Sequence, residues 1–189
     1  LHLLGRRQRQ MCIRDSDTSV CPLCQHPNEK ASHVLTCPDT GARDKASVLY
    51  RTTLRDHLKK EETHPALLRT LPKLLGKVHT GAPIHVHLFP TAVQKALRAQ
   101  ATIGWTNFLI GRWSTEWLTL QKKHHTQTGS QKSALKWLRS TLNLLIRGQW
   151  DLWDYRNQRF QGKNGANEAR EHQYLNDQIE HKFTTGWAG

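Results

Sequence analysis

Three cysteines and a histidine packed into seventeen residues constrain what this chain can fold into. Cys21, Cys24, His33 and Cys37 form the pattern C-x2-C-x8-H-x3-C. A CxxC pair brings two sulfurs to one point from a tight turn, and a histidine and a third cysteine complete a closed tetrahedral set for zinc. The segment around them, residues 17–40, is too short and polar to bury a core of its own, so its order is expected to come from a structural Zn2+. Structural zinc supplies about 10 to 16 kcal/mol in zinc-finger peptides, which couples metal binding to folding. Four protein ligands leave no position for water, which favours structure or recognition over metal-assisted hydrolysis. The cytidine-deaminase pattern is absent, because no H-x-E precedes Cys21-Pro22-Leu23-Cys24. His26 is a rival ligand of lower rank. His79, His85 and His87 read as loop histidines, since no cysteine or carboxylate accompanies them at ligand spacing.

Charge points to an acidic partner. The 189 residues carry 28 Lys and Arg against 15 Asp and Glu, a net +13, and such an excess is the electrostatic footprint of nucleic-acid binding. Met11-Cys12-Ile13-Arg14-Asp15-Ser16 resembles the translation of a transposase end used in sequencing-library preparation, so residues 1–16 are set aside as non-native. Removing their four arginines and one aspartate leaves +10 on residues 17–189. No run reaches the roughly eighteen apolar residues of a membrane helix. Cysteine usage suits a reducing compartment, so the expected location is intracellular, nuclear or cytoplasmic.

The expected fold is mostly α: a small CCHC zinc-binding module followed by an irregular helical domain of about five helices. Expected boundaries are 17–40 for the module, 41–90 for a helical linker region and 91–189 for a Trp-rich basic domain truncated at its C-terminus. Periodicity places helices over 43–60, from Thr63 to a stop at Gly76 with a kink at Pro72, over 92–103 behind a Thr91–Gln94 capping box, after Ser114, over 131–160 and over 167–183. Residues 79–90 read as a loop or short extended piece. On the longest helix, Leu135, Leu138, Leu142, Leu145, Ile146 and Trp153 share a packing arc, and Lys132, Lys136, Arg139 and Arg147 share a cationic one.

The run from Cys21-Pro22-Leu23-Cys24 through Asn28-Glu29-Lys30-Ala31-Ser32-His33-Val34-Leu35-Thr36-Cys37 resembles the zinc-binding module downstream of the polymerase domain in non-long-terminal-repeat retrotransposon reverse transcriptases. The shared features are the C-P-x-C turn, a central acidic residue and H-[VIL]-L before the last cysteine, over about 20 residues. The spacing departs from the viral nucleocapsid knuckle. Gln100 to Trp105, Phe108 to Arg112 and Ser114 to Trp117 look like the tails of retroelement-derived reading frames. The resemblance implies a C-terminal piece of a retroelement protein without its polymerase.

No Asp-Asp pair exists to hold polymerase magnesium. Pro38-Asp39 lacks the partners of a P-D…D-x-K nuclease, and no P-loop, nucleophile-elbow or H-E-x-x-H motif occurs. The expectation is therefore a non-enzyme with no catalytic residues and no small-molecule substrate. All seven tryptophans lie from Trp105 onward. Trp117 and Trp153 read as core. Trp150 lies in the cationic arc and is a candidate base-stacking platform beside Lys132, Lys136, Arg139 and Arg147. The first functional expectation is a zinc-stabilised module binding RNA or DNA and no membrane. The alternatives are a helical protein-interaction module with a partner protein, or a decaying reading frame.

Overall fold

The computed structural model of the chain describes residues 20–161 together with Gln173 and Asn176. The segment 1–16, including Cys12, and the helix expected over 167–183 lie outside the described residues. Residues 30–152 form one compact unit, and the described residues on either side of them form another. Every regular element is helical: α1 (Ala31–Val34), α2 (Thr40–Val48), a π turn (Leu49–Thr53), α3 (Leu54–Lys60), α4 (Pro65–Thr80), α5 (Thr91–Ile103), α6 (Trp105–Leu109), α7 (Thr115–Thr128) and α8 (Ala134–Gln161), with a 3₁₀ turn at Val86–Leu88. No strand occurs among the described residues.

Apolar side chains at three- and four-residue spacing explain where these helices bury themselves. Leu67, Leu71, Leu74 and Leu75 of α4 are at most 1 % exposed, and each fully buried leucine is worth about 1.5–3 kcal/mol. They join Leu54, Leu58, Val93, Leu97, Phe108, Trp117, Trp137 and Leu145 in one core within residues 30–152. The π turn has a physical reason. Ala46, Tyr50, Leu54 and Leu58 are all buried at strict four-residue intervals, whereas an α-helix drifts about 40° per four residues. One wider turn takes back part of that drift.

Two buried glutamines join elements that apolar contacts alone would leave adjustable. Gln100 Oε1 accepts from the Ser114 backbone N–H at 2.9 Å and from Trp117 Nε1 at 3.1 Å, and its Nε2 donates to Arg112 O at 3.0 Å. Gln121 Oε1 accepts from the His64 N–H at 2.9 Å, and its Nε2 donates to Glu62 O at 3.1 Å. Trp137 Nε1 donates to Thr63 Oγ1 at 2.8 Å.

Several expected boundaries move. α4 does not stop at Gly76; it runs on through Pro72 and ends at Gly81, which takes the left-handed φ of +69° that a helix-terminating glycine supplies. Its cap is His64 rather than Thr63, with Nδ1 accepting from the Ala66 N–H at 3.0 Å. The Thr91–Gln94 box does not form: Pro90 precedes α5, and Gln94 donates back to Phe89 O at 3.0 Å. Ser114 does cap α7, its Oγ accepting from the Glu116 N–H at 3.1 Å.

The buried face of α8 is the largest difference. It comprises Ala134, Trp137, Thr141, Leu145, Gly148, Gln149, Leu152, Trp153 and Arg156; Leu145 and Trp153 keep their expected places, but the face as a whole is rotated roughly 65° from the expected leucine arc, and Leu135 is 47 % exposed. Close approach and hydrogen bonding set this register. A Cβ on Gly148 would fall 2.4 Å from Leu49 Cδ2, Thr141 Oγ1 meets His57 Nε2 at 3.2 Å, and Gln149 Nε2 donates to Leu109 O.

Candidate metal centre

The four expected ligands converge. The Sγ atoms of Cys21, Cys24 and Cys37 and a ring nitrogen of His33 all lie within 4.8 Å of one another. Ligands about 2.3 Å from a common ion sit about 3.8 Å apart in a tetrahedron, so closing onto a metal asks for movements of an ångström or less. Cys21 and Cys37 are buried at 0 % and 1 % exposure, and Cys24 and His33 are half-buried. The residues present fit a structural metal, and the donor set of three thiols and one imidazole is that of structural zinc. Among the described residues this is the one grouping of three or more His, Cys, Asp or Glu ligand atoms; His79, His85 and His87 form no second one, and His26 is not part of it.

Local backbone accounts for the convergence. The Cys21–Cys24 turn folds back on itself, with the Gln25 N–H donating to Cys21 O and the Cys21 N–H to His26 O, both at 2.9 Å. Gln25 adopts a left-handed φ of +61° to complete it, a conformation that costs a non-glycine residue of order 1–2 kcal/mol. His33 rides on the single turn α1, and the Thr36 N–H donates to His33 O at 2.9 Å, which curls the chain toward Cys37. Val34 and Leu35, between those two ligands, are 3 % and 5 % exposed. Their neighbour His79 sits at Leu35, with Nδ1 donating to Leu35 O at 2.5 Å. Pro38-Asp39, considered above only as a nuclease fragment, starts α2: Asp39 Oδ1 accepts from the Ala42 N–H at 3.0 Å.

The residue pair that sequence reasoning missed is Glu29–Arg156. Both side chains are 1 % exposed, and Arg156 Nη2 lies 2.5 Å from Glu29 Oε2. Arg156 Nε also donates to both carboxylate oxygens at 3.2 Å, its Nη1 donates to Asn157 Oδ1 at 3.2 Å, and the guanidinium lies 5.7 Å from the centre of the Trp153 ring. This pair holds the end of the Cys21–Glu29 segment against the last turns of α8. Glu29 stood out only as the central acidic residue of the pattern, and nothing in the local sequence separates Arg156 from the surrounding basic residues.

The expected cationic face is on the surface, with Lys136, Arg139 and Arg147 exposed and Trp150 half-buried. Lys132 is engaged: its Nζ donates to Lys60 O at 2.6 Å and lies 3.4 Å from Glu62 Oε1. Trp117 and Trp153 are core residues, at 0 % and 5 % exposure, as is Trp137 at 1 %. Trp113 stacks on Phe108 with centroids 4.7 Å apart and donates from Nε1 to Phe108 O at 3.1 Å.

No helix of the described residues is long and apolar enough to cross a membrane. Compared with known proteins, the chain matches no family model and gives no significant match to a characterised protein or to a solved structure.

Proposed function

We propose that the chain is a zinc-stabilised nucleic-acid-binding module of the kind that follows the polymerase domain in retroelement reverse transcriptases, without catalysis of its own. The observation that carries the metal part is the convergence of Cys21, Cys24, His33 and Cys37 within 4.8 Å. A divalent ion there supplies cross-linking of the two halves of the motif. Cys21 and Cys24 hold it from the turn, and His33 and Cys37 from the segment that α2 anchors.

The nucleic-acid part is supported by the net +13 charge and by the ligand pattern. Lysines and arginines that contact phosphates release condensed counterions, so the logarithm of affinity falls by about 0.7 per contact per decade of salt on a single strand. Titrating the metal-loaded chain with labelled single strands and duplexes at several salt concentrations tests this. The proposal expects a steep negative slope that chelation of the metal weakens. Affinity independent of salt, or a chain that takes up no metal, overturns it.

A further inference from the structure

We infer that the groove between the α2–α3 helical run and α4, lined neither by the four metal ligands nor by the α8 cations, binds the phosphodiester backbone of a single-stranded nucleic acid. The inference rests on the nucleic-acid reading above and relocates the contact surface.

The groove has a volume of about 980 Å³, on the scale of a ligand pocket. Arg43, Arg51 and Arg55 line it from one side, and Arg69, Lys73 and Lys77 from the other. Against these six cations the lining has one carboxylate, Asp44. Five of the cations are exposed and Lys77 is half-buried. None pairs with a carboxylate among the described residues. Lys77 Nζ donates instead to the neutral Pro83 O at 3.0 Å, and Lys73 Nζ lies 5.6 Å from the Phe89 ring centre. Six like charges gathered about one cavity repel one another, and a polyanion relieves that repulsion.

Spacing favours a strand over an isolated phosphate. Arg69, Lys73 and Lys77 follow one another at four-residue intervals, about 6 Å per step along the helix axis, a repeat on the scale of successive phosphates. Arg51 and Arg55 keep the same interval opposite. The π turn at Leu49–Thr53 keeps Tyr50 and Leu54 on one buried row, and by the same geometry it keeps Arg51 and Arg55 on one wall. Leu68 and Pro72, both half-buried, also line the groove and add an apolar strip on which the bases of an unpaired strand, unlike those stacked inside a duplex, can rest.

The test compares three variants of the full metal-loaded chain, binding a labelled oligonucleotide of about twelve nucleotides at about 0.1 M salt. Arg55→Glu with Lys73→Glu reverses charge on both walls and is expected to weaken binding about tenfold or more, with a shallower salt slope. Arg55→Lys with Lys73→Arg preserves charge and is expected to bind within about twofold of the parent, as expected for phosphate rather than base contacts. Lys136→Glu with Arg139→Glu on α8 is expected to change affinity by less than about threefold. Helical circular dichroism confirms that each variant is folded. If the α8 reversal abolishes binding and the groove reversal does not, the groove assignment falls and the nucleic-acid reading stands. A duplex or a multiply phosphorylated peptide that competes as well as the single strand overturns the single-strand assignment. If the parent binds no oligonucleotide at low salt, both fall.

Discussion

A guanidinium and a carboxylate that are each 1 % exposed cannot exchange partners with water, so removing either one takes an ionic hydrogen-bond partner from a buried charge. Arg156→Ala or Glu29→Gln is therefore expected to cost about 3–5 kcal/mol, and the double replacement by methionines much less than the sum. Denaturant unfolding of the metal-loaded protein measures both, and additive single losses would show that the pair does not act as a unit. His64 gives a second prediction at this scale. Burial first, then the neighbouring His124 and Arg69, pushes its imidazole below the ordinary 6.5, while its Nδ1 caps α4 as an acceptor. As pH falls below about 6.5, the unfolded chain takes up this proton more readily than the folded one, and stability declines. His57 is shifted the same way by burial and adds to the decline. His64→Asn keeps an acceptor at the cap and is expected to flatten part of the stability loss between about pH 7.5 and 5.5. An unchanged slope in midpoint against pH would contradict the assignment.

Among the elements, α8 is the helix whose packing depends most on the absence of a side chain. Adding a methyl at Gly148 places it 2.4–2.9 Å from three atoms of Leu49, so Gly148→Ala is expected to destabilise by about 1–3 kcal/mol despite its better helix propensity. Gly148→Ala with Leu49→Ala should recover part of that loss, and a single variant more stable than the parent would rule out close packing here. This helix also shows what the sequence could convey. Helix type and rough extent were legible over 43–60, 92–103, after Ser114 and over 131–160, because leucine spacing and Ser114 act locally. The buried arc of α8 was legible only in part: Leu145 and Trp153 are buried as leucine spacing implies, but most of the face is not leucine. Counting leucines selects Leu135 and Leu142, whereas Gly148, Thr141 and Gln149 earn their places only through Leu49, His57 and Leu109, far away in sequence. The extension of α4 past Gly76 has the same origin, since Leu74 and Leu75 are buried and His79 hydrogen-bonds Leu35.

For the molecule as a whole, the ligand set was the most legible feature, because four residues in a short span must converge for chemical reasons that need no tertiary knowledge. The cations were the least legible. The sequence groups Lys132, Lys136, Arg139 and Arg147 on one helix, but the six that share a groove come from helices that only the fold brings together. Stability and metal are coupled in this account: thiol protonation or chelation should lower the unfolding midpoint, and Cys24→Ser should do so without added chelator. The most direct measurement is metal content with X-ray absorption at the metal edge on the purified chain. One zinc per chain is expected, with three sulfurs at about 2.3 Å and one nitrogen in its shell. A chain that folds without stoichiometric metal, or a shell dominated by oxygen, would contradict it.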